Sequence, residues 1–367
     1  MTLLQPASRA EPVDATDTTR ALLLAAVDRA LVTHRPSPVS PAVDEVWALL
    51  GDTARGGKHL RGSTLVEIHT ALGGSHPDAA ASLAAATEIL HAGFLVQDDV
   101  LDHDVVRRGR PNLAARTAAT ARSAGAGDAA AAAWAEGAGI LAGDLAISTA
   151  WAEVALLPEG ACRTAVVRLL ADTVRETVCG ELGDLALQHG LDAESPRART
   201  VVARAKTARY TFTWPLVAGA LLADADDDVL LTLRRAADEL GLAYQLTDDV
   251  AGAFGPGVPS DLREGKQTTL IGLATGHRAW AGVAELLGDP SLDTEGAARI
   301  RAALLTSGAV DATADRVRTA LRESRSLGRR AGGAAVVVCR LADRVEALLE
   351  DTLATRVAPV RGAEMSG

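Results

Sequence analysis

From Pro77 to Asp102 the sequence has no interior proline and no run of β-branched residues, so the stretch reads as one long helix. The same texture recurs almost to the C-terminus. Apolar residues make up 48% of the chain but aromatics only 3%, and β-branched runs such as Val336-Val337-Val338 are brief, so propensity favours helix nearly throughout. The periodicity predicts helices over 18–33, 41–50, 63–72, 77–102, 113–122, 129–156, 159–189, 197–222, 226–250, 270–287, 297–307, 310–328 and 331–353, with Pro36, Pro38 and Pro41 separating the first two. An all-α fold follows. No Pro/Gly/Ser-rich linker divides the chain, which argues for one domain over 18–354, with disordered tails at 1–17 and 355–367.

A net charge of −10 argues against a nucleic-acid partner, because affinity for that ligand comes mainly from cationic side chains. Cys162, Cys179 and Cys339 are odd in number and lack metal-ligand spacing, so neither a disulfide framework nor a zinc site is expected. The first residues lack the basic start and apolar core of a signal peptide, and the cytoplasm is the expected compartment. The stretch most like a membrane span, 124–146, is interrupted by Asp128, Glu136 and Asp144. It reads as a helix-packing surface, and no transmembrane segment is expected.

Chemistry concentrates in two acidic clusters, Asp98-Asp99-Val100-Leu101-Asp102 and Asp248-Asp249, each on a predicted helix and each followed by basic residues. Alternating acid and base in this way suits an anionic ligand held partly through divalent metal, and a diphosphate fits best. On a helix Asp98 and Asp102 share a face one turn apart, with His91 two turns earlier on that face and Asp99 turned about 100° away. Paired carboxylate oxygens are what Mg2+ prefers, usually completed by water and substrate phosphate. Arg107 and Arg108 enter a turn bounded by Pro111 that can fold their guanidinium groups back toward the carboxylates, and the planar fork of arginine grips phosphate oxygens bidentately. Gln245, Asp248 and Asp249 fall near one face of a later helix. Lys58 and Arg61 in a glycine-rich loop, and Lys206 on another helix, are further phosphate-binding candidates. Singly, each feature has a bland alternative: a solvated helix end, surface ion pairs, an ordinary surface lysine. The irregular stretch 252–268 after the second cluster is a candidate lid.

Taken together, the motifs resemble those of the all-trans isoprenyl diphosphate synthases, or polyprenyl synthetases. The segments that carry the resemblance are Gly56-Gly57-Lys58-His59-Leu60-Arg61, Glu88-Ile89-Leu90-His91 leading into the first acidic cluster, Arg107-Arg108-Gly109-Arg110-Pro111, Lys206-Thr207, Tyr244-Gln245-Leu246-Thr247-Asp248-Asp249 and Asp261-Leu262-Arg263-Glu264-Gly265-Lys266-Gln267-Thr268. They stand in the family's order and spacing. The resemblance implies an antiparallel helix bundle around a deep central cavity, assembled as a homodimer. It implies Mg2+-dependent head-to-tail condensation of an allylic diphosphate with isopentenyl diphosphate. By the same resemblance Asp98 and Asp102 ligate two Mg2+ ions and Asp248 a third. Arg107, Lys206, Thr207 and Gln245 would hold the allylic diphosphate. Lys58, Arg61, His91 and Arg108 would hold isopentenyl diphosphate, with Lys266 a further substrate contact. Asp98, Asp102, Arg107, Lys206 and Asp248 form the implied catalytic set.

The sequence also departs from the family's pattern. Gly252 stands at the fifth position of the second cluster, where many members have aspartate, and Gly180-Glu181 replaces the usual Gly-Gln. The segment Phe254-Gly255-Pro256-Gly257-Val258-Pro259-Ser260 is short and lacks a lysine common there, which removes one positive charge from the leaving-group side. Product length turns on the residues before Asp98. Phe94, one turn back, is expected to stop the growing chain early, with Gly93 leaving a gap beside it. Geranylgeranyl diphosphate is the expected product and farnesyl diphosphate the next. Two rivals stay open: a class I terpene cyclase, in which the prenyl chain attacks itself, and a non-catalytic subunit of a hetero-oligomeric synthase.

Overall fold

The computed structural model describes residues 15–159, 161–191, 201–202 and 204–364. They fall into two compact units, 15–66 with 78–157 and 67–77 with the described residues of 158–364. The first is built from α1 (Ala15–Thr33), α2 (Pro41–Arg55), the first half of α3 (Leu60–Ala71), α4 (Pro77–Leu101), α5 (Leu113–Ser123) and α6 (Asp128–Ala155). Pro41 at the start of α2 and Ser40, whose side chain accepts the Val43 N–H, fix where that helix begins. His34 and Glu153 pair at 2.8 Å and tie α1 to α6.

Small residues bring α4 and α6 together. A Cβ on Gly93 would stand 2.8 Å from the Ala146 Cβ, and one on Gly139 would stand 2.4 Å from a Val100 methyl. This close approach accounts for the Ala/Gly-rich character of the stretch at 124–146. By length and composition both α4 and α6 could cross a membrane, yet 67% of the most apolar window of α4 and 39% of that of α6 are buried in the fold.

The second unit contains α7 (Ala161–Gln188), a π-helical segment (Arg204–Thr213) running into α8 (Trp214–Leu222), α9 (Asp227–Ala253), α10 (Thr294–Thr306), α11 (Ala309–Gly328), α12 (Ala335–Thr352) and α13 (Ala358–Glu364). α9 buries Leu233, Ala236, Leu240, Ala243 and Leu246, and α11 lies along it, with the Ser324 hydroxyl donating to the Ala236 carbonyl at 3.0 Å. Below the end of α9 a second apolar cluster gathers Phe254, Leu262, Leu270, Trp280, Ile300 and Val357. Full burial of a large side chain of this kind stabilises the fold by about 1.5–3 kcal/mol.

Three expectations need amending. The single helix predicted over 270–287 is a series of short turns, Thr269–Ala274, Arg278–Ala281 and Ala284–Leu286, because Gly276 and Gly282 interrupt it. In place of a tail from residue 355, the chain stays helical through the π-helical Leu353–Val357 and α13, while 1–14 and 365–367 lie outside the described residues. The helix predicted over 197–222 contains the π-helical Arg204–Thr213, and 197–200 and 203 lie outside the described residues. Both π segments end two residues before a proline, Pro215 and Pro359. Proline lacks the N–H and its ring collides with the carbonyl four residues back, and a turn widened by one residue relieves both problems.

Candidate active site

In the first unit, the C-terminal end of α4 carries the first acidic cluster. Asp98 and Asp102 are partly exposed and one helical turn apart, with the Asp102 N–H donating to the Asp98 carbonyl at 2.9 Å, whereas Asp99 is buried. The chain then turns back through a hairpin of β1 (Val106–Arg107) and β2 (Arg110–Pro111), in which Arg107 faces Arg110. Its two-residue turn needs left-handed backbone at both central positions, and Arg108 (φ 55°) and Gly109 (φ 73°) adopt it. Asn112 fastens the hairpin to α5, donating to the Asp104 carbonyl at 2.6 Å and accepting the Ala115 N–H at 2.9 Å.

The hairpin lays the Arg107 guanidinium on α4. Its Nε donates to Asp99 Oδ1 and its Nη2 to Asp98 Oδ2 at 3.0 Å. Burial raises the Asp99 pKa above the ordinary carboxylate value, opposed by Arg107 and helped by Asp98 and Asp104. Burial weakens the protonated form of Arg107, but Asp99, Asp98 and Asp104 more than offset this, so the guanidinium stays a cation.

Arg108 turns the other way, toward the glycine-rich loop. Its two terminal nitrogens lie 2.7 Å from where a Cβ on Gly57 would stand, and Gly57 itself has φ 97°, so this position requires glycine on both counts. A few residues on, the Gly62 amide in the first turn of α3 donates to Glu88 Oε1 at 2.7 Å. This places a carboxylate at the positive end of a helix. Burial raises the Glu88 pKa, countered by the Gly62 N–H, Arg61, His59 and Arg108. His91 is mostly enclosed: burial first, then Arg61, Arg108 and Arg107, hold its pKa well below the usual histidine value. The ring is therefore neutral at neutral pH. Lys58 is exposed and Arg61 partly so.

In the second unit, α9 presents its acidic pair unequally. Asp248 is exposed, while Asp249 is buried and accepts hydrogen bonds from Gln245 Nε2 at 2.9 Å and the Thr269 N–H at 3.2 Å. Burial drives the Asp249 pKa up to about 7; Gln245 and the Thr269 N–H oppose the rise, and Asp248 and Asp261 add to it. Of the two, only Asp248 is available to a ligand. A Cβ on Gly252 would fall 1.9 Å from Asp261 Oδ2, so the carboxylate of Asp261 fills the space that a side chain at 252 would take. Lys266 pairs with Asp261 at 3.2 Å and with Glu264 at 3.4 Å.

The stretch 252–268 is not structureless. It contains the helical turn Ser260–Arg263 and ends on Thr268, whose hydroxyl accepts the Ile271 N–H at 3.3 Å and caps the next turn. Lys206 and Thr207 belong to the π segment, and their side chains lie outside what is described. Phe94 is partly exposed on α4 one turn before Asp98. Gly93 corrects the expectation of a gap, since it faces α6 and Ala146 fills the space.

The sequence profile of the polyprenyl synthetase family matches residues 47–298, a span that contains both groups. The chain belongs to the polyprenyl synthetase family. Similar proteins include the geranylgeranyl diphosphate synthase of Saccharolobus solfataricus, 30% identical over 225 residues that are 59% of this chain and 62% of that one. Another is that of Mycobacterium tuberculosis, 31% identical over 243 residues, 64% of each chain. The chain thus spans less than two thirds of the length of these relatives. Among solved structures, a Corynebacterium glutamicum geranylgeranyl pyrophosphate synthase with isoprenyl diphosphate and magnesium is similar at TM-score 0.75 and 24% identity, covering 92% of this chain and 97% of that one. A Caulobacter crescentus polyprenyl synthase with calcium and isoprenyl diphosphate is similar at TM-score 0.70 and 26% identity, covering 92% and 99%. The fold of this polyprenyl synthetase is the all-α isoprenoid synthase fold.

Asp98 and Asp102 in the first unit, and Asp248 in the second, each offer hard oxygen atoms of the kind Mg2+ takes, at solvent-accessible positions. Among the described residues, no three His, Cys, Asp or Glu side chains stand in ligating geometry. Mg2+ commonly takes only one or two carboxylates and completes its shell with water and substrate phosphate. Glu88, Asp99, Asp249 and Asp261 stand in the sequence motifs, but their supporting roles were not read from them. One signal was present: Glu88 stands in the apolar run Ala84-Ala85-Ala86-Thr87-Glu88-Ile89-Leu90, and a charge at a core position needs a partner.

Proposed function

We propose that this polyprenyl synthetase is a cytoplasmic prenyltransferase that joins an allylic diphosphate head to tail with isopentenyl diphosphate, releasing mainly geranylgeranyl diphosphate and, next, farnesyl diphosphate. The observation that carries the reading is Arg107, folded by its hairpin onto Asp98 and Asp99 at the end of α4. A fixed guanidinium beside outward carboxylates suits a diphosphate that arrives with divalent metal. In the reaction the allylic C–O bond breaks and its electron pair leaves on diphosphate. The isopentenyl double bond supplies the pair for the new C–C bond, and the proton then lost passes to the released diphosphate, so no histidine base is needed.

Each residue has a physical part in this. Arg107, Lys206, Thr207 and Gln245 hold the allylic diphosphate, and Lys58, Arg61, His91 and Arg108 hold isopentenyl diphosphate, with Lys266 a further contact. His91, being neutral, binds as a hydrogen-bond donor, and the charge comes from its arginine neighbours. Asp98, Asp102 and Asp248 would hold three Mg2+ ions, which when bound neutralise charge developing on the departing diphosphate. The three free cysteines accord with a reducing compartment. Geranylgeranyl diphosphate synthases among the relatives support the product class.

The test is turnover of purified protein with Mg2+, labelled isopentenyl diphosphate and dimethylallyl, geranyl or farnesyl diphosphate, read by mass spectrometry. Allylic substrate consumed without isopentenyl diphosphate would identify a cyclase. Turnover only after a partner protein is added would identify a non-catalytic subunit. Phe94→Ala is expected to lengthen the main product by at least one isoprene unit, and an unaltered product distribution would remove Phe94 from the chain-length role.

The same reading includes a homodimer. α6 exposes Trp134 and Leu141 two turns apart on one face, with Ile140 about 100° round the helix from them, and an exposed apolar helix surface suits a two-fold interface. Leu141→Glu should shift the mass measured by light scattering from dimer to monomer. A variant that keeps the wild-type mass places the interface elsewhere.

A further inference from the structure

Two arginines from other helices grip the end of α9, one turn beyond Asp248. From α10, Arg301 donates Nε to the Ala253 carbonyl at 3.0 Å and Nη2 to the carbonyls of Gly255 at 2.6 Å and Gly257 at 3.0 Å. From the π-helical Leu353–Val357, Arg356 donates Nη1 to the Ala251 carbonyl at 2.7 Å. The carbonyls at the end of a helix have no intrahelical partner and carry partial negative charge. Here two carboxylates, Asp248 and Asp249, stand close to that same negative end, an arrangement that repels itself unless cations are brought in. Among the described residues no carboxylate pairs with Arg301, so its guanidinium answers to backbone alone. Both arginines also lie beyond residue 298, where the family match ends.

The gripped segment is the short loop that lacks the lysine common in the family. We propose that Arg301, supported by Arg356, is a positioning residue for Asp248: it fixes the end of α9 and the loop 254–257, and brings in from a neighbouring helix the positive charge that the loop does not carry. This rests on the proposed prenyl transfer, in which Asp248 binds metal on the leaving-group side. Partners that hold a metal ligand in place typically change affinity by about 10- to 100-fold when lost.

Arg301→Met keeps the length of the side chain and removes every donor, while Arg301→Lys keeps the charge without the fork. Kinetics with Mg2+ and both substrates, calorimetry with inorganic pyrophosphate plus Mg2+, and amide exchange over 250–258 separate the roles. Arg301→Met should raise the allylic diphosphate KM and weaken magnesium pyrophosphate binding by about tenfold or more, leave the isopentenyl diphosphate KM within about twofold, and speed exchange over 250–258. Arg301→Lys should fall between it and wild type. Unchanged allylic KM and pyrophosphate binding would overturn the proposal, as would equal losses for both substrates that merely track a lower melting temperature. If Arg301→Met does not fold, the lysine variant decides by the same criteria. Should wild type neither turn over nor bind magnesium pyrophosphate, the functional reading fails. The exchange measurement then judges the clamp alone, and unaltered protection in Arg301→Met overturns it.

Discussion

Asp98→Ala is expected to lower turnover in the proposed prenyl transfer by about three orders of magnitude or more, the scale of several kcal/mol of charge stabilisation that a bound metal supplies. Folding should hardly notice. Asp98 is partly exposed, its contact with Arg107 is worth about 0–1 kcal/mol to stability, and Arg107 keeps its second partner, Asp99. Circular dichroism and a thermal melt close to wild type, beside a collapsed rate, is the expected pair of results. Activity that survives the substitution would dismiss Asp98 as a metal ligand. A melt that collapses with the rate would mean that the carboxylate serves the fold.

Gly241→Ala should do the opposite, breaking the second unit by a single methyl group. A Cβ at 241 would stand 2.1 Å from the Ala208 Cβ and 2.4 Å from its Cα, so the backbone of the π segment would have to move away from α9. Overpacking of a tight core costs about 1–3 kcal/mol, and displaced backbone puts this case at the upper end or above. That is a large share of the roughly 5–15 kcal/mol that holds a typical protein folded. The melting temperature should fall by several degrees and turnover with it, because Lys206 and Thr207 ride on the displaced segment. A variant that melts with wild type would refute the packing described for α9.

These two cases mark what was legible in the sequence. Long helices could be read because propensity, proline placement and period all agreed, as in the stretch that became Pro77–Leu101. The one-turn spacing of Asp98 and Asp102 could be read for the same reason. What could not be read depends on distant segments meeting. Asp99 and Asp249 look like their neighbours in the sequence, and only the hairpin bearing Arg107 and the Thr269 amide make them inward-facing structural acids. Gly252 looked like a lost aspartate, whereas in the fold its bare Cα is what admits Asp261. The helical end of the chain, expected as a tail from 355, was not legible, although Pro359 stands in the first turn of the last helix, where proline is tolerated.

The widened turns before Pro215 and Pro359 have a practical bearing on anyone building chimaeras of this protein. A helix with one surplus residue is rotated by about 100° downstream of the insertion, so face assignments counted from one side do not carry to the other. Arg204–Thr213 and Pro215 should therefore be exchanged as one cassette. Transplanting the proline alone, or replacing it while leaving the surplus residue behind, would dial every side chain downstream of the widened turn onto the wrong bearing.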